Sequence, residues 1–498
     1  MTRAFNRRLV FSTMGALLLI EAFFMALATG VGFYYGEADQ SAFLVSTVIT
    51  LLGGLLGLTL GRHAPKQVGE REGYVIVALV WVVFSVFGLL PYYLSGQILS
   101  LTDAWFETMS GFTTTGATVI RDVESLTRTA LFWRALTQWL GGLGIIVLCV
   151  ALLPMFGLGG MQLYAAEVTG VNYEKLSPRI ADTAKLLWGV YIALTLAETF
   201  VLWLCDMGGF DALCHSMTTI ATGGFSTKNT SLMLYGPAVQ YVVGIFTFLS
   251  GLNFALIVHF LRGKPLRLLK DEESRWYARA VGIMGVVMTV GLAVFYGMQD
   301  KIWTGTAGEV LTHIEHSFRI GFFTAINSIT STGFAAADYM QWTPLLWVMV
   351  FLMFFTGGSS GSTAGGIKWV RILIFVKSGF AEFQRRIHPN AIIPIKLNGR
   401  PLPHEIINNV MAFMVFYVLI ILATVLVFCG CGVDFDESIG AAVSAIGNVG
   451  IGIGQYGPSG TYADFPAFGK WWMTLVMLTG RLEIFTVLLL FTKALWRK

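Results

Sequence analysis

The sequence predicts an all-α polytopic membrane protein with about ten spanning helices, organised as four like repeats and an added N-terminal helix pair. Three observations predict it. Of the 498 residues, 55% are hydrophobic and only 12% charged. A soluble domain needs about 25% charged residues to cover its surface, so lipid must be the solvent here. Apolar stretches of about 20 residues, long enough to span a bilayer at helical rise, recur throughout, and mean hydropathy is +0.70. Between them, short stretches ending in Gly return at near-constant spacing, the mark of an internal repeat.

The composition also excludes several classes. The pI of 8.7 comes from basic loops, and no run of Lys and Arg is interleaved with aromatics, so a nucleic-acid partner is not expected. Cys149, Cys205, Cys214, Cys429 and Cys431 lack metal-ligand spacing and read as small apolar packing residues. Cys429 and Cys431 could pair, but a spacing of two suits a disulfide poorly. The seven His are scattered, and no nucleophile elbow or Walker motif is present, so the chain does not read as an enzyme. His215 reads as packed.

The elements follow in order. Arg3, Arg7 and Arg8 precede an apolar run, and Ala26-Leu27-Ala28 could pass for a signal cleavage site. The run continues from Leu9 to about Tyr35, longer than a signal core, and a second span follows at once. A retained helix is therefore expected. Spans read at 9–35, 41–61, 73–96, 131–155, 183–207, 235–262, 276–299, 343–378 (interrupted), 405–430 and 468–495. An even count puts both termini on one side. Arg62, Lys66 and Arg71 flank one loop, Lys175, Arg179 and Lys185 a second, and Arg262, Lys264, Arg267 and Lys270 a third. Lys368, Arg371, Lys377, Arg385, Arg386, Lys396 and Arg400 form a fourth. The positive-inside rule makes these loops and both termini cytoplasmic.

The opposite loops, 97–130, 208–234, 300–342 and 431–467, each hold an apolar piece too short to span: Trp105 to Thr113, Leu213 to Ala221, Phe318 to Ile329, and Ile439 to Ile446. Such pieces read as re-entrant segments. A helix of about 12 residues covers about 18 Å, half the bilayer, and non-helical backbone at that depth survives only around a water-filled path.

After each short helix comes a stretch ending in Gly: Phe112-Thr-Thr-Thr-Gly116, Thr219-Ile-Ala-Thr-Gly223, Ile329-Thr-Ser-Thr-Gly333 and Ile446-Gly-Asn-Val-Gly450. These glycines lie 107, 110 and 117 residues apart. The following helix carries a mid-helix Gly at Gly141, Gly251, Gly357 and Gly480, each 24 to 30 residues further on. Each repeat is therefore outer helix, pore helix, filter strand and inner helix. The boundaries read as 62–165, 166–270, 271–390 and 391–498, with 1–61 as the added pair.

That arrangement suits a cation pore. A dehydrated cation needs oxygens in place of its water shell, and rings of backbone carbonyls supply them. Glycine turns those carbonyls by adopting φ > 0 without steric cost. The filter candidates are Thr114, Thr115 and Gly116; Ala221, Thr222 and Gly223; Ser331, Thr332 and Gly333; and Asn448, Val449 and Gly450. Each pore helix would aim the negative end of its dipole at the centre. Asp103, Asp211, Asp436 and Glu437 near the outer ends would either cap those helices or concentrate cations at the mouth. Arg319 stands near that position in the third repeat, leaving any such ring incomplete.

Two further features carry mechanism. Thr356 to Gly366 reads TGGSSGSTAGG, and five Gly in eleven residues cannot hold a regular helix. It is either a connecting loop or an intramembrane gate built from Gly357, Gly358, Ser359, Ser360, Gly361, Ser362, Gly365 and Gly366. Arg481, with Glu483, lies deep in apolar sequence, where a charge usually faces a cavity. The alternative is a structural ion pair, although 481 and 483 stand about 200° apart on a continuous helix.

With the filter stretches, the Gly-rich break and the final MLTGRLEIFTVLLLF, the chain resembles the Trk/Ktr/HKT superfamily of cation transporters. The extra N-terminal pair resembles its TrkH/TrkG branch. The resemblance covers nearly the whole chain. It implies potassium as the transported ion, no organic cofactor on this chain, and a place in the bacterial inner membrane. It also implies a homodimer whose cytoplasmic face binds a TrkA-like nucleotide-binding subunit, and a gate formed by the 357–366 loop and Arg481. Repeat 4 departs from the Thr-Gly ending, so asymmetry of the ring is expected there. The competing reading is an ion-coupled secondary transporter with alternating access, a potassium symporter. That class shows inverted repeats, whereas these four run in one orientation.

Overall fold

The structure, a computed structural model, describes residues 5–62, 69–142, 144, 180–299 and 306–496. Among the described residues the named secondary-structure elements are helices, apart from a four-residue hairpin of β1 (Lys396–Leu397) and β2 (Arg400–Pro401). The hairpin turn is Asn398-Gly399, both at positive φ, which Asn and Gly tolerate best.

The N-terminal pair is α1 (Arg7–Tyr35) and α2 (Gln40–Leu60). The Asn6 side chain accepts from Leu9 N, and Gly36 closes α1 at φ 67°. The two helices touch through glycines: a Cβ on Gly15 would lie 2.6 Å from Gly54 O. Small residues allow such close approach where lipid offers no hydrophobic drive for helix association. Next come α3 (Glu70–Gly88), α4 (Leu90–Leu94), the short α5 (Leu101–Phe112) and α6 (Arg128–Gly142). The expected span at 131–155 and the charges Lys66, Lys175 and Arg179, like Cys149, fall wholly or partly outside the described residues.

The second unit holds α7 (Ile180–Leu204), the short α8 (Gly209–Ile220), α9 (Pro237–Ser250) and α10 (Phe254–Leu261). The third holds α11 (Pro265–Lys270), α12 (Glu272–Gln299), α13 (Ala307–Ile329), α14 (Pro344–Met353) and α15 (Trp369–Ile387). The fourth holds α16 (His404–Gly430), the short α17 (Phe435–Gly447), α18 (Ala467–Arg481), α19 (Phe485–Leu490) and α20 (Lys493–Trp496). Among the described residues, six helices are long and apolar enough to cross a membrane, or seven if the bent pair α9–α10 counts as one.

The inner helices differ from expectation. The sequence shows an obvious break only at 357–366, yet the expected continuous spans at 235–262 and 468–495 are broken as well. Between α9 and α10 the axis turns by 102°. Between α18 and α19, Glu483 and Ile484 stand at φ 54° and 63°. An isoleucine there is strained by its β-branch, a cost the surrounding packing must offset. The third short helix also differs: α13 has 23 residues, against 12 or 13 for the other three. Its N-terminus carries a capping box between Thr306 and Glu309. Arg319 consequently sits mid-helix and donates to Glu315 at 2.9 Å and to Gln240.

Candidate functional site: a four-part backbone ring

The C-terminal ends of α5, α8, α13 and α17 each run into an extended segment with the same hydrogen bonds. Thr114 N donates to Gly111 O and Thr115 N to Ser110 O, both at 2.9 Å. The matching pairs are Thr222 to Thr219 and Gly223 to Thr218, Ser331 to Ser328 and Thr332 to Asn327, and Asn448 to Ala445 and Val449 to Ser444. In each segment the amides turn back into the helix end. The first residue is left-handed: Thr114, Thr222, Ser331 and Asn448 have φ between 50° and 53°. Two residues on, a glycine is again at positive φ: Gly116 at 83°, Gly224 at 76°, Gly333 at 82° and Gly450 at 90°. Such alternation turns successive peptide planes alike, gathering amides on one side and carbonyls on the other.

This corrects the register of the second repeat. The sequence assigns Ala221, Thr222 and Gly223, but the equivalents of Thr114, Thr115 and Gly116 are Thr222, Gly223 and Gly224. Gly223 answers to Thr115, and Ala221 stands one place before the ring. The ring closes only in this register. A Cβ on Gly116 would lie 2.1 Å from Gly223 O, one on Gly224 2.0 Å from Thr332 O, one on Gly333 2.1 Å from Val449 O, and one on Gly450 2.2 Å from Thr115 O. A cavity of about 120 Å³ on the side of the following loops is lined by all four of these glycines.

The asymmetry is also different from the expected departure of repeat 4 alone. Thr113 and Thr115 share a hydroxyl hydrogen bond at 2.8 Å, as do Thr330 and Thr332 at 2.7 Å. Repeat 2 has Ala221 and Gly223 in those places, and repeat 4 has Gly447 and Val449. Repeats 1 and 3 are therefore alike, and repeats 2 and 4 are the ones lacking hydroxyls. Asn448 compensates in part: its Nδ2 donates to Thr115 Oγ1 and to Met477 O, both at 2.9 Å.

Sequence reasoning missed what holds the ring from behind. Gln138 Nε2 donates to Gly223 O at 2.7 Å, and its Oε1 accepts from Phe225 N at 3.1 Å. Buried Glu107 accepts from Arg134 Nε at 2.6 Å, from Val119 N and from Thr118 Oγ1. Arg134 also donates to Ser226 O at 2.8 Å and lies over the Phe225 ring. Charged residues inside apolar helices were the available signal. His215 is buried against Asp211 O and Ser226 Oγ, in keeping with a packed histidine.

The outer acids are largely committed to partners elsewhere and cap none of these helices: Ser100 caps α5, and neither α8 nor α17 has a side-chain cap. Asp103 accepts from Lys470 at 2.6 Å, Asp211 from Thr227 at 2.7 Å, and Glu437 from Gln455 N and Nε2.

The 354–368 segment lies against the helix ends on the inner side of the ring. Gly365 N donates to Ser331 Oγ at 2.7 Å, Ser359 N to Gly251 O at 2.8 Å, and Thr363 Oγ1 to Ile220 O at 2.9 Å. A Cβ on Gly365 would come within 2.4 Å of Gly447 O. Glu273, at the start of α12, grips the segment: its carboxylate accepts from Ser360 N and Oγ at 2.6 and 2.5 Å and from Val370 N at 3.1 Å. Lys368 donates to Ala364 O.

Arg481 is the last residue of α18. Its guanidinium donates to Thr114 Oγ1 at 3.0 Å, Thr363 O at 2.8 Å, Gly141 O at 2.5 Å and Gly142 O at 2.6 Å. The sequence places it along an aqueous cavity. In the structure the half-buried side chain bridges the ring, the end of α6 and the 354–368 segment. Glu483 pairs with Arg371. The separation of 481 from 483 thus holds, although the helix that motivated it ends between them. The four described cysteines are free thiols.

A polytopic helical membrane protein with four helix ends converging on a ring of left-handed backbone belongs to the class of transport proteins rather than enzymes. The comparisons agree. The family model described as TrkH, cation transport protein, matches residues 39–498. The chain is 37% identical to the Trk system potassium uptake protein TrkH of Halomonas elongata over 99% of each chain. It is 36% identical to TrkH of Escherichia coli K12 over 99% of each chain. Trk system potassium uptake protein TrkG of Escherichia coli K12 is 34% identical, with 98% of this chain and 99% of that one covered. The crystal structure of the potassium transporter TrkH from Vibrio parahaemolyticus superposes with a TM-score of 0.86 at 33% identity, covering 98% and 99% of the two chains. The chain belongs to the TrkH family of cation transport proteins, as its motifs suggested.

Proposed function

We propose that the chain takes up potassium ions across the bacterial inner membrane, through carbonyls of residues 114–116, 222–224, 331–333 and 448–450. The observation that carries this is the closed contact cycle of the four glycines with the next repeat's carbonyls. Amides drawn into the helix ends leave carbonyl oxygens to replace a cation's hydration shell. Four converging helix C-termini add negative potential at the same place.

The 354–368 segment is the gate in this reading. It rests on three of the four helix ends, and Arg481 pins it through Thr363 O. The four repeats are the functional units, with both termini cytoplasmic as the basic loops imply. A homodimer bound on its cytoplasmic face by a TrkA-like nucleotide-binding subunit completes the assembly, by likeness to the family. Reconstitution in liposomes, with potassium and sodium flux measured separately, tests the reading. Selective potassium flux supports it; equal flux of both ions, or none in the folded protein with its partner, overturns it.

A further inference from the structure

A cavity of about 710 Å³ opens between the turn that joins α10 to α12 and the β-hairpin; it lies outside the ring and borders the 354–368 segment through Glu273. Arg267, Lys270, Arg275 and Arg400 line it, together with the carboxylates of Asp271, Glu272 and Glu273. Those carboxylates are already occupied by the protein's own donors. Asp271 accepts from Ser274 N and Oγ at 2.8 Å and from Asn398 Nδ2 at 2.9 Å. Glu272 accepts from Lys377 and from Asn398 N, and Glu273 is committed to Ser360 and Val370. Lys270 and Arg400 are exposed, and neither takes part in an ion pair among the described residues. Lys270 and Arg400 are therefore the cations of the lining that are left to meet an anion, while its three carboxylates are held by the protein's own donors.

Its surroundings place it at the membrane surface. Leu266 and Leu269 alternate with the lining residues Arg267 and Lys270 on α11, and they are exposed, as are Phe260 and Leu261 on α10 and Trp276 next to Arg275 on α12. Arg279 lies 5.5 Å from the centre of the Trp276 ring, at the start of the long apolar α12. Tryptophan beside arginine at the end of a span marks the headgroup level. Two such cations at that level, with apolar side chains beside them, match an acidic phospholipid in both parts.

We propose that this cavity holds the phosphate of an anionic phospholipid, with Lys270 and Arg400 as its cations and the acyl chains along Leu266 and Leu269. Glu273 forms part of the same wall and grips Ser360, so an occupied cavity steadies the turn on which the 354–368 segment is anchored. This second consequence rests on the transport reading above; the binding itself does not.

The test uses full-length purified protein and native mass spectrometry, with phosphatidylglycerol or phosphatidylcholine as the added lipid. Phosphatidylglycerol is expected to be retained over phosphatidylcholine. K270Q/R400Q should weaken that retention by about fivefold for each charge removed, while R262Q, outside the cavity, should leave it unchanged. Millimolar inorganic phosphate should not displace the lipid. Equal retention of the two lipids, or retention unaffected by K270Q/R400Q in monodisperse protein, overturns the proposal. So does displacement by inorganic phosphate, which assigns the cavity to a soluble phosphate. Intact lipid retention with lost capture of the nucleotide-binding subunit assigns it to a protein partner, and overturns the proposal too. A protein that retains phosphatidylglycerol yet moves no potassium keeps the site and overturns the transport reading alone.

Discussion

Arg481, at the end of α18, donates to the hydroxyl of Thr114 at 3.0 Å and so ties the fourth repeat to the first at the inner side of the ring. The same guanidinium reaches Gly141 O, Gly142 O and Thr363 O. One side chain therefore joins the ring, the end of α6 and the proposed gate. A positive charge beside a conduction path also opposes a passing cation, by about 2 kcal/mol at 8 Å with an effective dielectric near 20. Arg481→Gln removes both the charge and most of the bridge. It should raise basal potassium flux and weaken dependence on the cytoplasmic partner, while Arg481→Lys keeps the charge and much of the control. Lower flux from correctly folded Arg481→Gln in liposomes would show that the bridge supports the bundle and that the charge is not a barrier.

The ring register makes a separate prediction. Gly224, not Gly223, occupies the left-handed place in repeat 2, and a Cβ there would lie 2.0 Å from Thr332 O. Gly224→Ala should therefore reduce potassium over sodium selectivity about as much as Gly116→Ala does, since both strain the backbone and push a neighbouring carbonyl. Paired flux measurements decide it: wild-type selectivity in Gly224→Ala would break the four-part equivalence.

The gate is tested at its anchor. Glu273 accepts three hydrogen bonds from Ser360 and Val370. Glu273→Ala leaves those donors without a partner and should release the segment, giving flux that no longer needs the cytoplasmic subunit. Shortening the 357–366 run should do the same. A folded, inserted Glu273→Ala protein that stays silent without its partner argues against gating by this segment.

Stability should be most sensitive at Glu107. Its carboxylate and Arg134 are both almost wholly buried, with side-chain exposures of 0% and 4%. Removing one member of such a pair strands the other charge and costs about 3–5 kcal/mol. Glu107→Ala should lower the thermal unfolding midpoint well below that of Glu437→Ala, whose carboxylate is partly exposed and bonded only to Gln455. Equal midpoints would mean that the buried pair contributes little.

Much of this protein was legible before any coordinates. Apolar length marked the spans at 9–35, 41–61, 183–207, 276–299 and 405–430, because lipid leaves a spanning chain few alternatives to a continuous helix. Glycine density marked the break at 357–366, and the recurring Gly-ended stretches marked the repeat. The breaks at Leu252 and Glu483 were harder to read. Ser250-Gly251-Leu252-Asn253 and Gly480-Arg481-Leu482-Glu483 interrupt otherwise apolar runs, but a single Gly inside a helical pattern does not distinguish a helix that bends from one that continues.

By itself the sequence determined the solvent, the element types and the four-part recurrence, since each depends on composition or on spacing along the chain; the family came from the resemblance of its motifs. Tertiary structure alone decided that Gly224, and not Gly223, takes the left-handed place of the ring. Both satisfy the local rule, and the φ of 76° at Gly224 goes with its contact to Thr332 O across a repeat boundary. It likewise decided that Arg481 binds carbonyls of the α6 end and of the 354–368 segment, and that Arg319 lies mid-helix beside Gln240. The physical reason is the same in each case. A buried charge or a left-handed backbone is stable only with particular partners, and those partners stand some 80 to 340 residues away in the chain.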